Sequence, residues 1–215
     1  MSADPARTAR AYDEVVEAYA PLAASVFAAD HLHRAMVDAF ADLVLSSGGG
    51  PVLDAGCGPG HITAHLAGRG LAVCGVDGSV GMVEWARVHH EPLEFAVGSL
   101  EDGAVAQGSL AGALSSYSII HTPPERLDPV LHGFARSLAP GGHLLVSFQS
   151  HEDPAARVEA FDHRVVVAYR YGIDHVLGSL GRAGVVEVGR LVTAPDQDVR
   201  RGFAQAHLLC RRSAP

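Results

Sequence analysis

Val52-Leu53-Asp54-Ala55-Gly56-Cys57-Gly58-Pro59-Gly60 decides the fold of this chain. It reads as a buried strand running straight into a glycine hairpin. Glycine has no Cβ and tolerates positive φ, so a loop of this kind lets a ligand approach the backbone closely. Asp54 stands just before the first glycine, and a second acid, Asp77, ends the next apolar run, Leu71-Ala72-Val73-Cys74-Gly75-Val76. An acid at the tip of the neighbouring strand can accept hydrogen bonds from both hydroxyls of a ribose.

Outward from that motif the pattern alternates. The sequence predicts strands over Val52 to Ala55, Leu71 to Val76, Leu93 to Val97, Ala113 to Ile119 and His143 to Phe148. Helices are expected over His61 to Leu66 and Ser79 to Val88. A further helix follows Thr122-Pro123-Pro124-Glu125, which combines a capping-box pair with proline in the first turn, and stops at Leu138-Ala139-Pro140-Gly141-Gly142. Strands alternating with helices give a parallel sheet covered on both faces, with ligands at the carboxyl ends of the strands. Asp54 to Gly60, Asp77, Ser99 and Ser116 to Ser118 all fall at those ends. Upstream, Leu32, Met36, Phe40 and Leu43 recur at helical spacing, with Pro21 expected to break an earlier segment. Downstream, Val165 to Tyr169 reads as a strand, Ile173 to Leu180 as a helix closed by Gly184, and Val185 to Val192 with Phe203 to Cys210 as an antiparallel pair.

Composition narrows the chemistry. A chain of 215 residues that is 48% hydrophobic suits one globular domain. All 16 basic residues are arginine, which removes Schiff-base chemistry and the P-loop lysine. A net charge of −8 argues against a sequence-independent grip on nucleic acid. No run is long enough to span a membrane, and the N-terminus has no hydrophobic signal core. Cys57, Cys74 and Cys210 are widely spaced and odd in number, a poor disulfide framework, so a reducing cytoplasm is the expected location. His61 and His65 share a helix face, but Ile62 stands where a zinc protease needs glutamate, and no metal site is expected.

Gly56 and Gly58 match the dinucleotide fingerprint, but the third glycine, Gly60, arrives one residue early and His61 takes its place. That spacing argues against an NAD-dependent dehydrogenase. The chain resembles the class I S-adenosylmethionine-dependent methyltransferases. Val52 to Gly60 is similar to their first motif, and Val76-Asp77-Gly78-Ser79 with Met82 and Ala86-Arg87 to their second. Leu138 to Gly142 is similar to the turn before their fifth strand, and Tyr117 to Glu125 resembles a group of small actinobacterial members. Ser99 stands where the family often has aspartate, and Ala111 where it often has an acid.

The resemblance spans roughly Tyr12 to Arg211 and implies an α/β, Rossmann-like fold. Its sheet would be seven-stranded and mostly parallel, with an antiparallel last strand and helices on both faces. It divides one domain into an N-terminal helical lid (1–47), a cofactor-binding core (51–150), and a substrate loop with C-terminal strands (151–215). It implies S-adenosylmethionine as cofactor and S-adenosylhomocysteine as product. The cofactor would meet Tyr12, Tyr19, Asp54, Gly56, Cys57, Gly58, Gly60, His61, Asp77, Gly78, Ser79, Met82, Gly98, Ser99, Leu100, Ser116 and Tyr117. His121, just after the fourth strand, is the candidate general base. The expected partner is a small, hydrophobic methyl acceptor, with O-, N- and C-methylation open. Nucleic acid and membrane are not expected as partners, and the oligomeric state (monomer or homodimer) is open. The alternative is a cofactor-binding protein that transfers no methyl group.

Overall fold

The computed structural model describes residues 4–99, 106–151, 153, 157–163, 165–198 and 201–214. Leu100 lies outside the described residues. The strands are β1 (Pro51–Ala55), β2 (Ala72–Asp77), β3 (Glu94–Val97), β4 (Leu110–Ser116), β5 (Leu138–Gln149), β6 (Val158–Asp162), β7 (Val167–Tyr171), β8 (Val185–Thr193) and β9 (Gln205–Arg212). The α-helices are α1 (Pro5–Asp13), α2 (Val16–Ala29), α3 (His31–Ser46), α4 (His61–Gly68), α5 (Val80–His89), α6 (Pro124–Ser137) and α7 (Ile173–Arg182).

A seven-stranded sheet runs in the order β3-β2-β1-β4-β5-β9-β8. Neighbours from β3 to β5 are parallel, whereas β9 is antiparallel to both β5 and β8. The resemblance therefore gave the sheet and its one reversed strand correctly. Parallel strands with both faces covered read as continuous apolar runs, which is why Val52 and Leu53 are both buried instead of alternating. Leu131, Phe134, Val176 and Leu180 of α6 and α7 cover one face; Val37, Phe40, Ile62 and Leu66 of α3 and α4 cover the other. Each fully buried Leu or Phe among them contributes about 1.5–3 kcal/mol relative to exposure.

The structure corrects several local expectations. Pro21 does not break a helix: it sits exposed inside α2. Its missing N–H leaves a carbonyl one turn back to water, and the real breaks fall between Asp13 and Val16 and at Asp30, which caps α3 by accepting from the His33 amide at 2.9 Å. β4 ends at Ser116, not Ile119, because Tyr117 adopts φ 55° and turns the chain into a single 3₁₀ turn, Ile119–His121. The capping box does not form: α6 is preceded by Pro123, with no side-chain cap. β5 starts at Leu138, pairing with Leu110 across a register shift before Gly112, so the Pro140-Gly141-Gly142 turn is absorbed into the strand. The substrate loop expected from residue 151 contains β6, which pairs antiparallel with β7 in a separate two-stranded sheet. Among the described residues no helix is long and apolar enough to cross a membrane.

Candidate active site

Three glycines and one acid shape a cleft at the carboxyl ends of β1, β2 and β4. Gly56, Gly58 and Gly60 have φ of 74°, 53° and 82°. They need those values for different reasons. A Cβ on Gly56 would stand 2.2 Å from Ser118 Cβ, and one on Gly60 would stand 2.8 Å from the Phe95 ring. A Cβ on Gly58, which lines the cleft, would meet nothing within 4 Å. The loop is fastened from two sides. Asp77 Oδ2 accepts from the Gly58 amide at 2.8 Å, and Oδ1 accepts from the Ser79 amide at 2.8 Å. Each oxygen retains a lone pair for a ligand hydroxyl. Burial pushes the Asp77 carboxyl upward, and the Ser79 and Gly58 amides oppose that shift by favouring the carboxylate.

The cleft encloses about 1150 Å³ of empty space, counted out to its open mouth. Its lining includes Tyr12, Tyr19, Gly56, Gly58, Asp77, Gly78, Ser79, Met82, Gly98, Ser99, Ser116, Tyr117 and His121. Asp54, Cys57, Gly60 and His61 are not among its lining residues. Asp54 lies one layer below, 1% exposed, where Oδ2 accepts from the Thr63 hydroxyl at 2.7 Å and ties β1 to α4. Cys57 packs with Val83, Ala86 and Phe95, and the His61 ring stands edge-on to Phe27 at 5.7 Å.

Several lining residues carry no sequence signal of their own. Pro5, Thr8, Ala9 and Tyr12 form one stripe along α1, at the i, i+3, i+4, i+7 spacing of a helix face, and close the cleft from above. Ile119, Val130 and Phe134 supply an apolar wall. Ser118 donates to the Ala55 carbonyl at 2.9 Å and stands 2.5 Å from Ser115 Oγ, holding the turn after β4 against the glycine loop.

Tyr12 reaches His121, with the phenol oxygen 2.8 Å from Nε2. Burial strongly raises the Tyr12 phenol, and burial followed by the neighbouring His163 lowers the His121 imidazole to about 3. Both are neutral near pH 7. The His121 tautomer decides which of the two donates: the phenol donates to Nε2 when the ring proton is on Nδ1, and accepts when it is on Nε2. The Tyr12 ring is edge-on to Tyr19 and to His121, each at 5.4 Å. His163, from the turn between β6 and β7, stands edge-on to His121 at 5.1 Å.

Behind Ser116 and Tyr117 lies a second imidazole cluster that sequence reasoning missed. His33 and His207 stack at 4.9 Å, His33 Nε2 is 3.1 Å from Ser116 Oγ, and His207 Nδ1 is 2.9 Å from Ser147 Oγ. The Tyr117 ring stands edge-on to both. Burial lowers His33 to about 3 and His207 to about 4, so the stack is uncharged.

The cleft fits S-adenosylmethionine by its donor set: a left-handed glycine that leaves room for backbone approach, a carboxylate with free lone pairs, and the Met82 thioether beside it. Residues 52–142 match the family described as methyltransferase domain. The chain is 31% identical over 100 residues to a ubiquinone biosynthesis O-methyltransferase of Alkalilimnicola ehrlichii, covering 45% of this chain and 40% of that one. It is 31% identical over 143 residues to an S-adenosyl-L-methionine-dependent Diels-Alderase of Talaromyces variabilis, covering 59% and 45%. The chain thus spans less than half the length of these curated relatives. Among solved structures, it is similar in fold to a 1,6-didemethyltoxoflavin N1-methyltransferase of Burkholderia thailandensis. The TM-score is 0.65 at 21% identity, covering 91% of this chain and 89% of that one.

Proposed function

From a chain with the class I methyltransferase fold, whose residues 52–142 match the methyltransferase domain family, we propose an S-adenosylmethionine-dependent methyltransferase acting on a small, uncharged acceptor. The observation that carries this reading is the meeting, in one cleft, of Gly58, Asp77 and Met82 with the α1 stripe that ends at Tyr12. Residues 1–47 serve as the lid, 51–150 as the cofactor core and 151–215 as the acceptor side.

When bound, the cofactor supplies an electrophilic methyl on a sulfonium. Asp77 would take the ribose hydroxyls on its remaining lone pairs, and Met82, 1% exposed, would offer a polarizable face to the adenine. Tyr12, Tyr19, Ser116 and Tyr117, which line the same cleft, would meet the methionine end. Asp54 acts from below, by holding Thr63. Apolar and aromatic walls suit a sulfonium that loses its charge in the transition state, because an anion gripping the sulfur would favour the ground state. The rest of catalysis is alignment and exclusion of water.

The low basicity of His121 fixes when a proton can move. Burial lowers the basicity of the His121 imidazole, which makes it a poor base for creating an oxyanion from a hydroxyl in advance. It can collect the much more acidic proton of an oxygen that has already gained a methyl group. With the ring proton on Nδ1, the path runs through Tyr12: the acceptor proton passes to the phenol oxygen as the phenol proton passes to Nε2. No arginine lines the cleft among the described residues, which suits an uncharged acceptor. Three free cysteines suit a reducing cytoplasm, and the net charge of −8 disfavours nucleic acid.

Calorimetry with S-adenosylhomocysteine and with NAD tests the cofactor, and labelled donor with phenols and N-heterocycles tests the transfer. Binding of S-adenosylhomocysteine with turnover on a neutral acceptor is expected. Tighter binding of NAD would overturn the reading, and cofactor binding without turnover on any acceptor would favour a non-transferring role.

A further inference from the structure

The second motif contains a glycine whose place the cofactor does not explain. Gly81 is the second residue of α5 and does not line the cleft. A Cβ there would stand 2.9 Å from Val16 Cγ2 and 3.3 Å from Asp13 Oδ1. The residue is small because α1 and α2 come down onto the start of α5.

What arrives there is a carboxylate. Asp13 Oδ1 accepts from the Ser79 hydroxyl at 2.6 Å and from the Gly81 amide at 2.8 Å. Ser79 caps α5 in the ordinary way, its oxygen accepting from the Met82 amide at 3.1 Å. The open amide of the first turn is therefore satisfied from 68 residues upstream. Asp13 is the last residue of α1, where the partial negative charge of that helix end disfavours a carboxylate; the amino end of α5 favours it. The side chain thus has an electrostatic reason to leave its own helix for the next.

Ser79 carries the connection into the cleft. Its amide donates to Asp77 Oδ1, and Asp77 Oδ2 holds Gly58. On the other side of the helix end, Tyr12 meets His121. Two consecutive residues thus fasten α1 at two places, Tyr12 on His121 and Asp13 on the start of α5, beside the cleft that Pro5, Thr8 and Ala9 line.

We propose that Asp13 is a positioning residue for the cofactor: by completing the α5 cap through Ser79 and Gly81, it clasps α1 over the ribose end and holds Asp77 and Gly58 in place. The proposal rests on the reading of the cleft as an S-adenosylmethionine site. Asp13 does not line the cleft itself, so its effect on the ligand passes through Ser79 and α1.

The test is titration of S-adenosylhomocysteine into Asp13→Ala, Asp13→Asn and Gly81→Ala. It is paired with trypsin cleavage at Arg7 and Arg10, both exposed on α1, with and without the ligand. Asp13→Ala is expected to raise Kd about tenfold, equivalent to about 1.4 kcal/mol, and to remove the ligand's protection of α1. Asp13→Asn keeps an accepting oxygen and should stay within about threefold of the unaltered protein, a loss of about 0.6 kcal/mol or less. Gly81→Ala should reproduce the alanine effect by prying the helices apart. An unchanged Kd in Asp13→Ala, whatever happens to its melting temperature, overturns the proposal. If the unaltered protein does not bind the ligand, the reading of the cleft falls instead. The clasp is then judged by trypsin alone: faster cleavage in Asp13→Ala upholds it, and equal cleavage refutes it.

Discussion

Replacing Asp54 by asparagine should change how stability depends on pH more than it changes stability itself. Asp54 is 1% exposed and accepts a hydrogen bond from the Thr63 hydroxyl. Burial raises its carboxyl from 3.8 to about 7, a shift the Thr63 hydroxyl opposes. A folded-state value above the unfolded one means the folded protein prefers the protonated form. That preference stabilises the fold fully below pH 3.8 and is lost as pH rises through about 7. The loss runs at about 1.4 kcal/mol per pH unit between those limits, so about 3 kcal/mol disappears between pH 5 and pH 9. Asparagine does not titrate. Its unpaired amide donor costs about 1–3 kcal/mol, and that cost is the same at every pH. The two effects therefore separate. Relative to the unaltered protein, Asp54→Asn should gain about 3 kcal/mol from pH 5 to pH 9, or about 6–12 °C in melting temperature for a domain of this size. Urea or thermal unfolding of both proteins at pH 5, 7 and 9 measures it. Parallel stability curves would show that Asp54 is ionised throughout and would refute the reasoning.

Other outcomes follow from the same geometry. Gly56→Ala places a methyl 2.2 Å from Ser118 Cβ at a φ of 74°. It should cost about 2–5 kcal/mol from overpacking and backbone strain, read as a lower urea midpoint. Asp77→Ala should weaken S-adenosylhomocysteine by about 10–100-fold in calorimetry, from the loss of hydrogen bonds to a charged acceptor. His33 and His207 are depressed to about 3 and 4, so their contribution is complete above the ordinary histidine value of 6.5 and is lost as pH falls toward those values. Stability should decline below pH 6.5, the imidazole resonances of both should remain those of the neutral ring at pH 5.5, and His207→Gln should flatten that acid limb.

The central half of the fold was legible because its signals are local. β1 and β2 are continuous apolar runs ending in an acid, and the glycine spacing between them separates one nucleotide cradle from another. The peripheral elements were harder for identifiable reasons. Val158–Asp162 is a short strand of mixed burial that shares no face with the main sheet, so no apolar run announces it. The end of β4 depends on Tyr117 accepting a left-handed φ, which a tyrosine seldom does and which its neighbours, the Ser147 carbonyl and two imidazoles, hold in place. Within the site, Tyr12, Gly58 and Asp77 could be read from motif and spacing. The clasp by Asp13 could not, because both partners lie more than 60 residues downstream and an aspartate near a helix end is unremarkable in sequence. His33 and His207 were opaque for the same reason: the stack unites α3 with β9.

The position of β9 has a consequence for how the molecule comes into being. It follows every other strand among the described residues, yet it lies inside the sheet, between β5 and β8. Until residues 205–212 emerge from the ribosome, β8 has no partner and β5 presents a long open edge bearing Leu145 and Phe148. The cofactor half, β1 to β4, consists of neighbouring segments and can assemble during synthesis; the rest must wait for its last strand. A chain cut just before β9 would lose the pairing of two strands rather than one. It would leave a soft, adhesive half-sheet for chaperones to hold, beside a nucleotide cradle already formed.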